Sequence, residues 1–188
     1  MALTTIDPMS ALVVIDLQKG IVAAHTGHSA TAAVEQAIRL ANEFRRRGLP
    51  VVLVNVTGRA PGRTEAGRSG SSAAPPADWA DLIDELDVRP TDHLITKRRR
   101  SAFHDTGLDT LLRDLGVTQI VLAGISTSSG VESTARSASD HGYHVVLATD
   151  AMSDPDPEAH RHSVERVFPK LGETATTAEI IDRAEAVR

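Results

Sequence analysis

Between residues 120 and 137 the chain reads Ile-Val-Leu-Ala-Gly-Ile-Ser-Thr-Ser-Ser-Gly-Val-Glu-Ser-Thr-Ala-Arg-Ser, and no other stretch constrains its fold as much. It opens as a short apolar run, 120–123, of the kind a strand buried on both faces needs. Gly124 ends the run. A turn of small and hydroxylated residues follows, from Ser126 to Ser129, and then Gly130. Beyond it Val131, Thr134, Ala135 and Ala138 recur at helical spacing. A helix opening at such a turn presents unpaired backbone N–H groups and the positive end of its dipole at the carboxyl edge of a sheet. Open α/β sheets bind their ligands at that edge.

The same alternation runs through the rest of the chain. Residues 11–15, Ala-Leu-Val-Val-Ile, read as a central strand with Asp16 at its carboxyl end. Residues 31–47 read as an amphipathic helix, with Ala33, Ala37, Leu40, Ala41 and Phe44 on one face and Gly48 beyond its end. A second strand at 51–56 makes these elements a right-handed parallel crossover. Further strands are expected at 93–96, 119–123 and 144–149, with a short last one at 172–174. Helices are expected at 108–115, 130–141, 158–168 and 177–187, a short helix or turn at 79–86, and a polar loop at 150–156. The pattern is that of one three-layer α/β domain, 1–188, with a mainly parallel sheet. Residues 57–76 break it: they are rich in Gly, Ser, Pro and Arg, and irregular stretches this long are usually functional or disordered.

The turn Gly-Ile-Ser-Thr-Ser-Ser-Gly-Val-Glu-Ser-Thr-Ala, starting at Gly124, resembles the signature turn of the isochorismatase-like hydrolase superfamily. Asp16 followed by Gln18, and Lys97 ahead of Ser101-Ala102-Phe103, are similar to two further motifs of that family. The resemblance covers residues 11–177 and implies a six-stranded parallel sheet in Rossmann-like order. It also implies a non-proline cis peptide at Ile125–Ser126, with the N–H groups of Ser126 and Gly130 aimed into the site. Many members, nicotinamidases and carbamoyl amidohydrolases among them, carry a cysteine nucleophile where this chain has Gly130. The chain has no cysteine, so thiol chemistry is excluded. The isochorismatases proper also have glycine there. The resemblance therefore implies acid-catalysed hydrolysis of a vinyl ether such as isochorismate, with no covalent thiol intermediate. Asp16, Lys97 and Gly130 are its expected catalytic positions; Gln18, Arg59, Arg63, Phe103, Ile125, Ser126 and Ser129 are the expected substrate contacts.

Plainer readings stand beside these. A strand-end aspartate often only bonds the next turn, and a basic run such as 97–100 is usually a solvated face. A serine nucleophile ranks below the acid mechanism: 124–128 ends in Ser128 rather than the glycine of a nucleophile elbow, and the sequence sets no His and acid pair beside it. Metal-binding nicotinamidases carry Asp-x-His after the second strand, whereas 55–64 contains no histidine, and His160 and His162 are two apart on a helix. No metal and no cofactor are expected. Arg59 and Arg63 are candidate clamps for an anionic small-molecule substrate. A net charge of −5 argues against nucleic acid or an anionic membrane as partner. With no signal-peptide pattern and no apolar run of about 18 residues, a cytoplasmic location is the default expectation. The family implies a homodimer or larger homo-oligomer. Two other functions remain open: hydrolysis of another small anionic or amide substrate by water activated at Asp16 and Lys97, and binding without catalysis.

Overall fold

The apolar runs form strands because their side chains alternate between two buried faces. In β1 (Ser10–Ile15), Leu12 and Val14 enter one core with Ala37, Leu40 and Phe44, while Ala11, Val13 and Ile15 enter another with Leu108, Leu112 and Ala135. A strand covered on both sides has no solvated face to mark with polar residues, hence the unbroken run. The computed structural model describes residues 3–25, 28–59, 61–65 and 74–186.

The sheet has six strands: β1, β2 (Val51–Val56), β3 (His93–Lys97), β4 (Gln119–Ile125), β5 (His144–Ser153) and β6 (Glu173–Ala175). Their order is β3-β2-β1-β4-β5-β6, and every pairing is parallel. One face carries α1 (Lys19–Ala24), α2 (His28–Arg46) and α6 (Thr177–Ala186), which contribute Ile21, Leu40 and Ile180 to the first core. The other face carries α3 (Leu108–Asp114), α4 (Glu132–Asp140) and a helical stretch after α5 (Pro157–His162), with Leu112, Ala138 and Phe168 in the second core. The chain leaves β1 toward β2 on one side and reaches β4 on the other. That reversal opens a crevice at the carboxyl ends of β1 and β4. Among the described residues, no helix is long and apolar enough to cross a membrane.

Several boundaries differ from the sequence reading. β4 does not stop at Ala123; it runs through Gly124 and Ile125, paired with the end of β5. Gly124 has φ +117, and a Cβ there would run into the backbone of Ile15, so the glycine lets β4 lie against β1 at this level. β5 extends to Ser153 across a register shift, so 150–153 is strand rather than loop. Ala151, Met152 and Ser153 are buried there without the β-branched run that marks a strand. Within it, Asp150 accepts the Thr177 N–H and hydroxyl at 2.7 and 2.9 Å, which fastens the start of α6. The expected helix at 130–141 begins as a π-helical turn, Thr127–Val131, and becomes α-helical at Glu132. The expected helix at 158–168 is likewise three pieces, α5, a π turn Ser163–Val167 and a 3-10 turn Phe168–Lys170 that takes in Pro169. The 79–86 segment is turns ending in a 3-10 turn, Asp84–Leu86, and α1 was not expected from the sequence. Of the irregular 57–76 stretch, residues 60 and 66–73 lie outside the described residues.

Candidate active site

Asp16 follows β1 in a left-handed conformation, φ 52, which aspartate tolerates better than most residues. Its N–H donates to the Val54 carbonyl (2.9 Å), and its own carbonyl accepts from the Gln18 N–H (2.8 Å). The side chain is thereby held at the carboxyl edge of the sheet. Lys97 ends β3 and reaches the same point, its Nζ donating to Asp16 Oδ2 at 2.7 Å and to the Arg99 carbonyl at 3.2 Å. Both side chains are buried, 2% and 6% exposed. Lys97 is placed from behind: Arg45 of α2 grips Asp92, ahead of β3, with Nε and a second guanidinium nitrogen at 3.0 and 2.6 Å. Thr96 donates to the Asn55 side chain on β2 at 2.8 Å.

Burial pushes the Asp16 carboxyl up from the usual 3.8 to about 6, against the opposing pull of the Lys97 charge and hydrogen bond. Because the folded pKa is the higher one, this carboxyl favours folding most below about pH 4, and that contribution is lost as pH rises through about 6. Oδ2 holds Lys97, whereas Oδ1 is buried with no hydrogen-bond partner among the described residues.

Gly130 lies against this pair. A Cβ built there would sit 3.1 Å from Asp16 Oδ2, 3.7 Å from Lys97 Nζ and 2.9 Å from Ile15 Cγ2. The last contact is too close to stand without movement in the core. Gly130→Ala is expected to lower stability by about 1–3 kcal/mol, read from the denaturant midpoint, because Ile15 or the turn must shift.

These residues face a pocket of about 720 Å³. Its walls include Asp16, Lys97, Gly130, Ile125, Ser126 and Ser129, with Arg59, Arg63, Arg99 and Arg100 around it. Arg59, Arg63 and Arg100 form no ion pair among the described residues, and Arg99 lies 4.0 Å from Asp105. Among the described residues, the pocket wall carries five cationic side chains against one carboxylate.

The turn that closes the pocket is tied down at several points. The Ile125–Ser126 peptide is cis. The Ser126 carbonyl accepts from the N–H groups of Ser129 and Val131, both at 3.2 Å. Asp154 accepts the Ser128 N–H and hydroxyl at 2.8 and 2.7 Å, and Thr127 Oγ1 lies 2.8 Å from His160 Nδ1.

Two expected substrate contacts lie elsewhere. Gln18 is fully buried: its Nε2 donates to the Val56 and Trp79 carbonyls (3.2 and 3.1 Å), and its Oε1 accepts the Val56 N–H (2.8 Å). This amide bridges β1, β2 and the 79–82 turn, and does not line the pocket. Phe103 stacks on His141, with ring centroids 5.0 Å apart, outside the pocket wall. His25 was missed. It caps the end of α1, donates from Nδ1 to the Ile21 carbonyl at 2.8 Å, and places Nε2 3.4 Å from Ser126 Oγ. Among the described residues no group of three or more His, Cys, Asp or Glu side chains is arranged to hold a metal ion.

Comparison with known proteins bears on the family and the fold. An isochorismatase family protein of uncharacterised function, YwoC of Bacillus subtilis, is 39% identical over 181 residues, covering 94% of each chain. The structure of an isochorismatase family protein from Burkholderia thailandensis superposes with a TM-score of 0.89 at 38% identity, over 96% of this chain and 98% of that one. An N-carbamoylsarcosine amidase from Thermoplasma acidophilum superposes with a TM-score of 0.74 at 29% identity, over 89% and 96%. Residues 10–179 match the isochorismatase domain, and with an α/β sheet of this order beneath the Asp16–Lys97 pair the chain belongs to the isochorismatase family of hydrolases.

Proposed function

We propose that the protein hydrolyses a small anionic vinyl ether, such as isochorismate, by general acid catalysis at Asp16. The observation that carries this reading is a buried carboxyl, held by Lys97 and pushed up to about 6, beside a glycine that puts no side chain over the pair. Hydrolysis of an enolpyruvyl ether needs a proton on the terminal vinyl carbon and then water on the resulting oxocarbenium ion. The hemiketal formed collapses to pyruvate and the free alcohol. No covalent enzyme intermediate is required. Asp16 delivers the proton. Lys97 holds its carboxyl through Oδ2, and the space over Gly130 admits the enolpyruvyl group. Two carboxylates on the substrate match Arg59, Arg63 and Arg100, which form no ion pair among the described residues.

The test is pyruvate release from isochorismate by the purified protein. Release supports the reading, and its absence from a well-folded protein rejects it. Arg59→Gln and Arg63→Gln are each expected to raise KM about tenfold with a smaller change in kcat, since such contacts bind ground state and transition state alike. Initial-rate measurements over substrate concentration check this.

A second reading draws on the likeness to N-carbamoylsarcosine amidase. Here the ionised Asp16 activates water against an amide or related carbonyl carbon. The two readings require opposite protonation states of the same carboxyl, so their pH dependences run in opposite directions.

A further inference from the structure

The polarity of the His25–Ser126 contact can be read from its far end. His25 Nδ1 lies 2.8 Å from the Ile21 carbonyl, and a carbonyl oxygen only accepts. Nδ1 therefore carries the ring proton of the neutral imidazole, and Nε2 keeps its lone pair. Nε2 faces Ser126 Oγ at 3.4 Å, so the hydroxyl is the donor. This is the arrangement that activates a hydroxyl nucleophile: a base at the oxygen, oriented by a third group on its other nitrogen. The orienting group here is a backbone carbonyl instead of a carboxylate. At 3.4 Å the contact is long, as such contacts often are before substrate tightens them.

The other hydroxyls of the turn lack this combination. Thr127 is fully buried, its hydroxyl set against His160 and absent from the pocket wall. The Ser128 hydroxyl is spent on Asp154. Ser129 lines the pocket, yet its hydroxyl meets no ring nitrogen among the described residues. Ser126 alone of the four both lines the pocket and has a base beside it. Its backbone is held from the other side, since its carbonyl accepts two N–H groups of the following turn.

We propose that Ser126 and His25 form a nucleophile–base pair giving the protein a second activity, acyl transfer from small esters or amides that carry an anionic group. Ser126 Oγ bonds to the acyl carbon as His25 Nε2 takes the hydroxyl proton. The carbonyl π electrons move to oxygen, where the positive charge of Lys97 and the surrounding arginines favours them. Collapse breaks the bond to the alcohol or amine, which leaves with the proton from His25. Water then attacks the Ser126 ester with His25 again as base, releasing the acid and restoring the hydroxyl. With a carbonyl in place of the triad carboxylate, imidazolium is less well stabilised, so both steps are slow; with an activated ester the good leaving group speeds acylation alone, and the acyl-enzyme accumulates. Ser126 shares the pocket with Asp16, but the pair does not share its proton chemistry, so failure of this proposal leaves the acid reading standing, and the reverse holds.

The experiment uses the full chain and para-nitrophenyl hemisuccinate, an activated ester bearing one carboxylate. The expected result is a burst of nitrophenolate equal to the protein present, with one succinyl group mapped by peptide mass to Ser126. Ser126→Ala removes the burst and the adduct. His25→Ala lowers the acylation rate about 100-fold, and added imidazole restores part of it, which a merely structural role for the ring would not produce. Folding of each variant is checked by circular dichroism and thermal melting. If Ser126→Ala does not fold, the His25→Ala rate and its imidazole rescue decide the matter. The proposal is overturned by a folded wild-type protein that gains no succinyl group or gains it only elsewhere. It is equally overturned by a His25→Ala variant that acylates at the wild-type rate.

Discussion

Asp16→Asn is expected to slow vinyl-ether hydrolysis by about 10³-fold or more while leaving the fold in place. The carboxamide keeps the shape of the side chain and an oxygen to accept from Lys97 Nζ, so the contact between β1 and β3 survives. What it loses is the transferable proton. Nothing else of the kind is close: Asp16 is the one acidic side chain on the pocket wall among the described residues. Pyruvate release measured beside a thermal melt checks the claim. A variant that folds and keeps more than a tenth of the wild-type rate would rule Asp16 out as the acid.

Lys97→Met is expected to move the pH profile rather than simply lower the rate. In the wild-type protein, kcat/KM should be flat below about pH 6 and fall tenfold per unit above it, because the free enzyme needs Asp16 protonated. Lys97 pulls that pKa down through its charge and its hydrogen bond, against the larger push from burial. With methionine in its place only the push remains. The falling limb should then shift upward by about one unit or more. The alternative in which ionised Asp16 activates water predicts a rate that rises through about pH 6 in the wild type, and a rising limb displaced upward in the variant. Rate profiles of the two proteins from pH 4 to 9 separate the mechanisms by sign, whatever the substrate proves to be.

What could be read from the chain beforehand depended on whether the signal was local. β1 and β2 are continuous apolar runs, and their bounds follow from composition within the run. Asp16 and Lys97 each end a strand, so parallel pairing alone brings them to one edge, although they are 81 residues apart. The tail of β5 carries no such mark, because Ala151 to Ser153 are buried by the neighbouring end of β4 rather than by any periodicity of their own. Gln18 looked like a binding residue from its place two beyond Asp16, but polar backbone groups of Val56 and Trp79 needed partners in the interior and took its whole amide. His25 was beyond reach: it ends a six-residue helix and meets Ser126 across 101 positions of sequence. Only the folded chain brings that ring to Ser126.

The tight fit around Gly130 also bears on how glycine and thiol members of such a family could exchange. A cysteine introduced here would place its Cβ 2.9 Å from Ile15 Cγ2, so the substitution taken alone perturbs the core before any thiol chemistry can be tried. Ile15→Leu removes that methyl from the branch point at nearly constant volume, at a cost of less than about 1.5 kcal/mol. The passage from one chemistry to the other is therefore ordered. The strand beneath must loosen first, and the nucleophile can arrive second. The two substitutions are coupled by a contact that neither reveals alone, so their combined effect should be milder than the sum of the separate ones. A residue in the core, with no part in the reaction, would then decide which reactions lie within one further step of this chain.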